Sequence, residues 1–448
     1  LITAGGVTVN GITADNSNTV NTLTIDSGGV IGFATGASTF NALTVEADQG
    51  VDVAQVLTTD TGALSIDGDT NNNNDVGDDR LDITAALVSA TTTALDATTG
   101  GIVLGANVTS GGTVTVVDSA LTLTADRTIN SSGGNGTITL DEVLTDTNND
   151  HVLTLTAGAG GVTIDDNVGV NTGDVLGGLN ITTAGAVQFT GGAATIDIGG
   201  QQLQIGSGAA VTSVTFEGVS NVASTIDINT GTLTLSAAMS NSVGTSDILI
   251  TNTGTAAINA TLTSADETTF DSTGGITLGA NIVSADTLSV ADSILTLTGD
   301  RTINTSGGGG ANVILDEIRT DTDDDHILTI TAGTGNVTVN DNIGVNGGAV
   351  VGGLDITSAG IVRFDTANAT IDIGAQEFKV GSGSAVTSVE IDASASIASS
   401  ITINANEGIT TSADVQASSG TVTLDADVDA NDNSGTLTIG GQLTNTGR

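Results

Sequence analysis

The chain of 448 residues contains no cysteine, proline, tryptophan or tyrosine, and only 7 of its residues are lysine or arginine. The absence of cysteine excludes disulfides, zinc–thiolate sites and cysteine nucleophiles. Nucleic-acid binding needs clustered basic residues, and the seven here are scattered, so no nucleic-acid partner is expected. No apolar stretch approaches the roughly 20 residues that cross a bilayer, so no membrane insertion is expected. The first residues do not resemble a signal peptide, and the sequence is expected to be a mature or excised piece.

The residues that are present alternate in a way that predicts β-strands. Asp and Glu number 51, which gives a net charge of −44, yet 38% of the residues are hydrophobic. Apolar residues recur at every second position, as in LTL at 121–123, IDI at 196–198 and LTL at 233–235. This period of two is typical of half-buried strands, and no run has a helical period. The pattern predicts an all-β protein and argues against disorder, although a high net charge with few aromatics often accompanies disorder.

A long unit is duplicated along the chain. Residues 140–158 and 315–333 are identical at 13 of 19 positions, and residues 119–130 recur at 293–304. Both pairs have nearly the same offset. We therefore predict one continuous domain over residues 1–448 that is built of about 2.5 copies of a 175-residue unit, at approximately 1–174, 175–349 and 350–448.

Within each unit the spacing of strands predicts a right-handed parallel β-helix, a solenoid with about 20 residues per coil. Short strands are separated by Gly, Asn, Asp, Ser and Thr, which form turns, and stacked coils would bury the apolar residues in a narrow core. Proline would remove an N–H group from the ladder between coils, which explains its absence. The alternative is a series of tandem antiparallel β-sandwich domains of roughly 90 residues, but such domains usually carry a core Trp or Tyr.

Loops rich in Asp and Asn interrupt the strands and are candidate Ca²⁺ sites. Ca²⁺ takes six to eight oxygen ligands, and carboxylates at alternate positions can converge on one side of a loop. The loop after Ile66 has the spacing of an EF-hand loop, but it lacks the central Gly and ends in Asp instead of Glu. The candidate ligands are Asp67, Asp69, Asn71, Asn73, Asp75 and Asp78, with further candidates at Asp146, Asp150, Asp321, Asp323 and Asp325.

A structural interpretation of the same residues stands beside the metal interpretation. Asp and Asn also make solvated turns, and a related loop at 236–247 has lost nearly all its carboxylates, so the fold does not need metal at every loop. His151 and His326 recur at equivalent positions without a nucleophile beside them, and Arg127 and Arg301 each follow an Asp, which predicts local ion pairs. We expect no enzymatic activity, no catalytic residue and no required cofactor, since no basic or aromatic cluster singles out a catalytic centre.

The whole chain resembles the very large repetitive surface proteins of bacteria in its Gly-, Thr-, Asn- and Asp-rich strands without proline, such as LTLTAG at 153–158 and VTIDDN at 162–167. These are filamentous-haemagglutinin-like adhesins, autotransporter passengers and related β-strand-repeat proteins. The resemblance implies secretion to the cell surface and assembly into fibres or a surface layer. It carries over no functional residue.

The sequence and the resemblance together predict a structural component of an extracellular fibre, stalk or surface filament. The partners expected are further copies that associate head to tail, or further coils of a longer chain. Two alternatives stay open. One is an adhesin segment that binds a glycan or a cell-surface receptor, and the other is a calcium-dependent surface-layer protein.

Overall fold

The computed structural model describes residues 1–73, 79–170, 173–191, 194–344, 349–365, 369–429 and 435–446. It is all-β with 2% helix, and it forms a parallel β-solenoid of about 18 turns. Strands of neighbouring coils pair in parallel, as in Leu43 with Leu64 and Leu354 with Phe378. The predicted β-helix is therefore confirmed, and the alternative of antiparallel sandwiches is wrong.

Tertiary contacts divide the chain into two compact units, Leu1–Gly231 and Thr232–Arg448. The first unit contains one short helix, α1 (Ala14–Ser17), and the second contains a 3-10 turn at Ser306–Gly308. Strand β28 (Ile226–Leu235) includes the boundary.

The other strands of the first unit are β1 (Ile2–Thr3), β2 (Val7–Val9), β3 (Leu23–Ser27), β4 (Ile31–Phe33), β5 (Ser38–Phe40), β6 (Leu43–Ala47), β7 (Val51–Val53), β8 (Leu57–Thr59), β9 (Leu64–Asp67), β10 (Leu81–Ile83), β11 (Leu87–Ser89), β12 (Thr93–Asp96), β13 (Ile102–Leu104), β14 (Val108–Ser110), β15 (Val114–Val116), β16 (Leu121–Leu123), β17 (Arg127–Asn130), β18 (Ile138–Leu140), β19 (Val143–Thr145), β20 (Val152–Thr156), β21 (Val162–Ile164), β22 (Gly178–Thr183), β23 (Ala186–Phe189), β24 (Thr195–Ile198), β25 (Leu203–Ile205), β26 (Val211–Phe216) and β27 (Val219–Val222).

The other strands of the second unit are β29 (Met239–Asn241), β30 (Ile248–Asn252), β31 (Ala256–Ile258), β32 (Leu262–Ser264), β33 (Thr268–Ser272), β34 (Ile276–Leu278), β35 (Ile282–Ser284), β36 (Leu288–Ala291), β37 (Ile294–Leu297), β38 (Arg301–Asn304), β39 (Val313–Leu315), β40 (Glu317–Thr320), β41 (Ile327–Thr331), β42 (Val337–Val339), β43 (Gly353–Ser358), β44 (Ile361–Phe364), β45 (Thr370–Ile373), β46 (Phe378–Val380), β47 (Val386–Ile391), β48 (Ser394–Ile397), β49 (Ile401–Thr411), β50 (Val415–Ala417), β51 (Val422–Asp425), β52 (Thr436–Ile439) and β53 (Leu443–Asn445).

The coils are longer than predicted, at about 23 residues per turn instead of about 20. The difference comes from the loops at the corners of the coils, because the strands themselves are short. Leu81 pairs with Val51 of the preceding coil, and that coil is long because it contains the acidic loop after β9. The next coil has no such loop, and Ile102 pairs with Leu81 at a shorter separation along the chain.

Columns of buried aliphatic side chains form the core of each unit. In the first unit Val45, Ile66, Leu95 and Val116 occupy successive coils in direct register, and each is at most 2% exposed. The polar residues between them point outward, which is the alternation that the sequence displays. Full burial of one such side chain contributes about 1.5–3 kcal/mol, so the core is the main source of stability of every coil.

Small hydroxyl residues close the corners of the coils. Thr59, Ser89 and Ser110 are buried and lie in register on successive coils. Thr59 Oγ1 donates a hydrogen bond to the carbonyl oxygen of Gly62 at 2.7 Å, and Ser89 Oγ donates to that of Thr92 at 2.8 Å. These hydroxyls satisfy carbonyl groups of turns, which would otherwise be buried without partners.

Glycine is required where the backbones of neighbouring coils touch. A Cβ atom on Gly136 would lie 2.1 Å from the carbonyl carbon of Gly112 in the preceding coil. No side chain fits at that distance, so this corner depends on glycine, and the high glycine content follows in part from such approaches.

Equivalent elements of the repeated sequence recur in the two units. Strand β17 of the first unit corresponds to β38 of the second, and β22 corresponds to β43, with the same lengths. The prediction that residues 1–448 form one continuous domain with copies at 1–174, 175–349 and 350–448 stays a prediction.

Candidate functional site

Two acidic corner loops, residues 146–151 and 321–326, each pair a histidine with an aspartate. His151 Nε2 lies 2.9 Å from Asp146 Oδ1, and His326 Nε2 lies 2.9 Å from Asp321 Oδ1. Both imidazole rings are largely buried, whereas both carboxylates are exposed. The pair closes the loop on itself and orients the residues at its tip.

The first tip residue of each corner loop binds the next coil. Asn148 Oδ1 accepts a hydrogen bond from the backbone N–H of Val175 at 3.1 Å. Asp323 Oδ1 accepts one from the backbone N–H of Val350 at 2.9 Å. Asp323, one of the predicted Ca²⁺ ligands, therefore uses a carboxylate oxygen to satisfy a backbone donor.

The second tip residue reaches two coils ahead. Asn149 Oδ1 accepts a hydrogen bond from the backbone N–H of Gly200, and Asp324 Oδ1 accepts one from that of Ala375 at 2.5 Å. Both tip residues have a left-handed backbone conformation, with φ of 65° and 62°. A Cβ atom on Gly199 would lie 1.6 Å from Asn149 Oδ1, so glycine makes room for this contact.

The last acidic residue of each corner loop contributes its backbone. Gln201 Nε2 donates a hydrogen bond to the carbonyl oxygen of Asp150 at 2.8 Å, and Gln376 Nε2 donates to that of Asp325 at 2.7 Å. These contacts, with those of the tip residues, form a three-coil clasp in each unit. The sequence could not reveal the clasp, because its partners lie 51 residues apart.

The acidic loop after β9 is folded by its own side chains. Asp67 Oδ1 accepts a hydrogen bond from the backbone N–H of Asp69, and Asn71 Oδ1 accepts one from that of Asn73, both at 2.9 Å. The Asp69 side chain is buried, and its Oδ2 accepts a hydrogen bond from the backbone N–H of Thr99 at 2.9 Å. Its Oδ1 has no hydrogen-bond partner among the described residues.

Within the described ranges, no group of three or more His, Asp or Glu side chains is placed to hold a metal ion. Asp75 and Asp78, two of the predicted ligands, lie outside the described residues. The structure brings Asp67 and Asp69 together. Ca²⁺ binding therefore stays a prediction, and the loop at 67–78 is the place where variants can test it.

Removal of Ca²⁺ is expected to lower the thermal transition at low ionic strength. A cation on this loop would offset the repulsion between its carboxylates, and Ca²⁺ at a hundred times its Kd would stabilise the folded chain by about 2.7 kcal/mol. Calorimetry with Ca²⁺ and with EDTA measures the shift. Asp69→Asn should remove it, whereas the exposed Asp60→Asn should not. An identical transition in Ca²⁺ and EDTA would end the calcium hypothesis.

The register of the coils stacks carboxylates into an acidic column on one outer face of the first unit. Asp26 pairs with Glu46, Glu46 with Asp67, and Asp67 with Asp96. Neighbouring strands lie about 4.8 Å apart, so each carboxylate within the column faces like charges on both sides. The pKa of Asp67 is raised, chiefly by burial and further by Asp96, Asp69 and Glu46, against a lowering by the Asp69 N–H.

Carboxyl groups with raised pKa values occur in both units. Burial, and next the charge of Asp82, raises the pKa of Asp52. Burial raises the pKa of Asp141, to which the charge of Asp166 adds most among the neighbouring carboxylates. Further carboxyl groups whose pKa is raised by burial and then by neighbouring acids are Glu142, Asp266 and Asp316. The folded chain therefore holds these carboxyl protons more tightly than exposed carboxyls do.

Four cationic side chains form local ion pairs with carboxylates of this acidic surface. Arg80 Nη2 lies 2.7 Å from Asp82 Oδ2, and Arg363 Nε lies 2.8 Å from Glu390 Oε2. Two further ion pairs join Arg319 to Glu317 and Lys379 to Glu377. The pairs of Arg80, Arg363 and Lys379 are partly exposed and contribute little stability, so they orient side chains more than they hold the coils together.

Arg127 and Arg301 do not form the predicted ion pairs with the preceding aspartates among the described residues. Arg127 Nη1 donates to the backbone carbonyl of Asp126 at 2.8 Å, and Arg301 Nη1 donates to that of Asp300 at 2.8 Å. The Asp126 carboxylate instead accepts a hydrogen bond from the backbone N–H of Val152 at 2.9 Å. The Asp300 carboxylate accepts one from Ile327 in the same way, so both aspartates join coils.

Comparison of the chain with known protein families, curated proteins and solved structures found no match. The solenoid is compatible with repeat β-helix proteins, a group in which structural proteins, adhesins and some enzymes occur. In the described part of the chain, no helix has both the length and the hydrophobicity of a membrane span.

Proposed function

We propose that this chain is a structural component of an extracellular fibre, stalk or surface filament and that it has no catalytic role. One observation carries the proposal: apolar side chains of successive coils lie in register, so that each coil of a unit is a template for the next. In such a solenoid the stability accumulates from interfaces between neighbours, and length is gained by adding coils.

The clasps support a mechanical role. Asn149 in the first unit and Asp324 in the second each bind a backbone N–H two coils ahead. Such contacts resist separation of the three coils that they join. The middle coil cannot separate from its neighbours unless the hydrogen bond that spans it breaks.

The surface charge supports an extracellular setting, together with the resemblance to bacterial surface proteins. A net charge of −44 keeps individual solenoids hydrated and apart, which opposes sideways aggregation. Most of the basic residues lie within paired strands, as Arg127, Arg301 and Lys379 do. Trypsin cleaves next to basic residues, so these sites become accessible only when a strand opens.

An apolar strand edge supports assembly along the coil axis. Strand β52 pairs with β49, and no second partner strand for it occurs among the described residues. Leu437 and Ile439 on this strand are 45% and 42% exposed. An exposed apolar edge is a template for a further strand. We propose that either the next coil of a longer chain or the first coil of a second copy covers it.

Purified chains of this sequence are expected to associate end to end into filaments. Electron micrographs over a range of protein concentrations measure the distribution of particle length. The double variant Leu437→Lys and Ile439→Lys places two charges on the edge, and it should shorten the particles to single chains. Thr269→Lys is the control, because it lies on β33, which pairs with β30 and with β36, and it should leave the filaments intact. Short particles of uniform length at every concentration of the unaltered chain would overturn the proposal.

A further inference from the structure

A polar groove lies on the outer face of the second unit, over the four-stranded sheet β45–β48–β50–β53. Its volume is about 430 Å³. Asp372, Ser396, Gln416 and Thr444 follow one another in register along its floor, one from each strand. The lining thus repeats once per coil, and it offers hydroxyl, carboxamide and carboxylate groups without an aromatic side chain.

The equivalent place in the first unit has different side chains. There Asp197 occupies the position of Asp372, and Asn221 occupies that of Ser396, each one repeat unit earlier in the sequence. Asn221 Nδ2 donates a hydrogen bond to Asp197 Oδ1 at 2.9 Å, so the longer side chain covers the carboxylate. Asp197 is 4% exposed and Asp372 is 9% exposed. Serine is shorter than asparagine, so this side chain of the floor reaches less far over the strand, while both carboxylates are largely buried.

The second copy is also more acidic around this groove. An adjoining cavity of about 250 Å³ shares Asp372 and Ser396 with the groove and is lined by Asp323 and Asp324. Asparagine stands at the corresponding positions of the first copy, in the tip of its corner loop. Asp414 adds a fourth carboxylate, whose Oδ1 accepts a hydrogen bond from the backbone N–H of Gln442 at 2.7 Å. The differences between the copies therefore shorten one side chain of the groove floor and add negative charge beside it.

We propose that this groove binds an amino-sugar chain that lies along the coil axis, with about one sugar ring per coil. The carboxylates attract the ammonium groups of such a chain, and charge-assisted hydrogen bonds of this kind are strong. The hydroxyl and carboxamide groups of Ser394, Ser396, Gln416 and Thr444 both donate and accept hydrogen bonds, as sugar hydroxyls do. The strands repeat about every 4.8 Å, which is close to the length of a pyranose ring in an extended chain.

A basic peptide fits these observations less well. Its cationic groups would pair with the carboxylates, but the hydroxyl and carboxamide groups of the floor would face apolar stems of Lys or Arg side chains. A neutral sugar chain would leave the added carboxylates without a cationic partner. The binding site is independent of the proposed structural role, because a filament component can carry it or lack it.

Calorimetric titration of the full chain with glucosamine oligomers of one to six rings tests the proposal, at roughly 0.15 M salt to screen unspecific attraction to the acidic surface. Affinity should rise with length up to four rings, one for each strand of the sheet, and then level off. Ser396→Asn introduces the residue of the first copy and should weaken binding about tenfold, which is a loss of about 1.4 kcal/mol. Asp414→Asn should weaken it by a similar factor.

Four controls make the result specific. Ser289→Asn makes the same change on β36, away from the groove, and should leave the affinity unaltered. Thermal melts verify that the variants fold. Equal affinity of N-acetylated oligomers or of oligolysine, or an unaltered affinity of Ser396→Asn, would overturn the assignment. None of these outcomes bears on whether the chain forms filaments, so the two proposals are tested separately.

Discussion

Thr212→Pro is expected to destabilise the first unit by about 3 kcal/mol, the usual size of the effect of proline inside a regular element. Thr212 lies in β26, its side chain is exposed, and its backbone N–H donates a hydrogen bond to the carbonyl oxygen of Gly185 at 2.8 Å. Proline removes this donor and leaves a carbonyl of the ladder without its partner, a loss of about 1–3 kcal/mol. It also forces φ toward about −65°, away from the extended values of a strand.

Denaturant unfolding and hydrogen exchange of the amides in neighbouring coils measure this effect. Thr212→Val keeps the N–H group and should change stability by less than about 0.5 kcal/mol, because only an exposed side chain is altered. Thr387 is the equivalent residue of the second unit, with its N–H 2.7 Å from the carbonyl oxygen of Gly360, and Thr387→Pro should repeat the result there. Proline variants as stable as the valine variant would show that the ladder between coils is not a main source of stability.

Mild acid is expected to stabilise the chain. The pKa values of Asp67, Asp141, Asp316 and the other shifted carboxyls are raised in the folded state, so the folded chain binds more protons than the unfolded chain at intermediate pH. Stability therefore rises as pH falls from neutral toward the ordinary carboxyl pKa values of about 4, and the gain is complete below them. It is lost again as pH rises through the raised values.

Calorimetry at pH 7 and at roughly pH 4.5, at constant ionic strength, measures this shift, which we expect to be an increase of several degrees. Asp141→Asn and Asp316→Asn remove one charge each from crowded positions, and they should raise the transition at pH 7 and weaken its pH dependence. Asp60→Asn removes an exposed charge elsewhere and serves as the matched control. Added salt should act in the same direction as acid, because it screens the same repulsion. A transition that falls on mild acidification would contradict this account.

The strands and their inward faces were predictable from the sequence because the period of two fixes which residues point inward. Runs such as LTL at 121–123 became strands with their two leucines buried. The coil length was predicted less well, since the loop after β9 adds residues that have no apolar period. The alternating oxygens of the corner loops predict cation sites, whereas the bonds of Asn149 and Asp324 to backbone donors two coils away have no signal in the sequence.

The position of the groove was not predictable from the sequence pattern alone. Asp372, Ser396 and Gln416 belong to three successive coils, and only the register of β45, β48 and β50 places them side by side. Comparison of the two copies contained a usable signal, namely the exchange of Asn148, Asn149 and Asn221 for Asp, Asp and Ser. Divergence of this kind within a duplication marks positions where one copy acquires a property of its own.

The clasps of the corner loops change how such a solenoid loses its structure. With contacts only between neighbours, coils would peel away one at a time from a free end, and each step would carry a similar penalty. Because Asn149 and Asp324 hold the second coil ahead, disruption at these points has to release a pair of coils together. Unfolding that starts at an end should therefore stop at each clasp. Only the coils between that end and the clasp should then be lost.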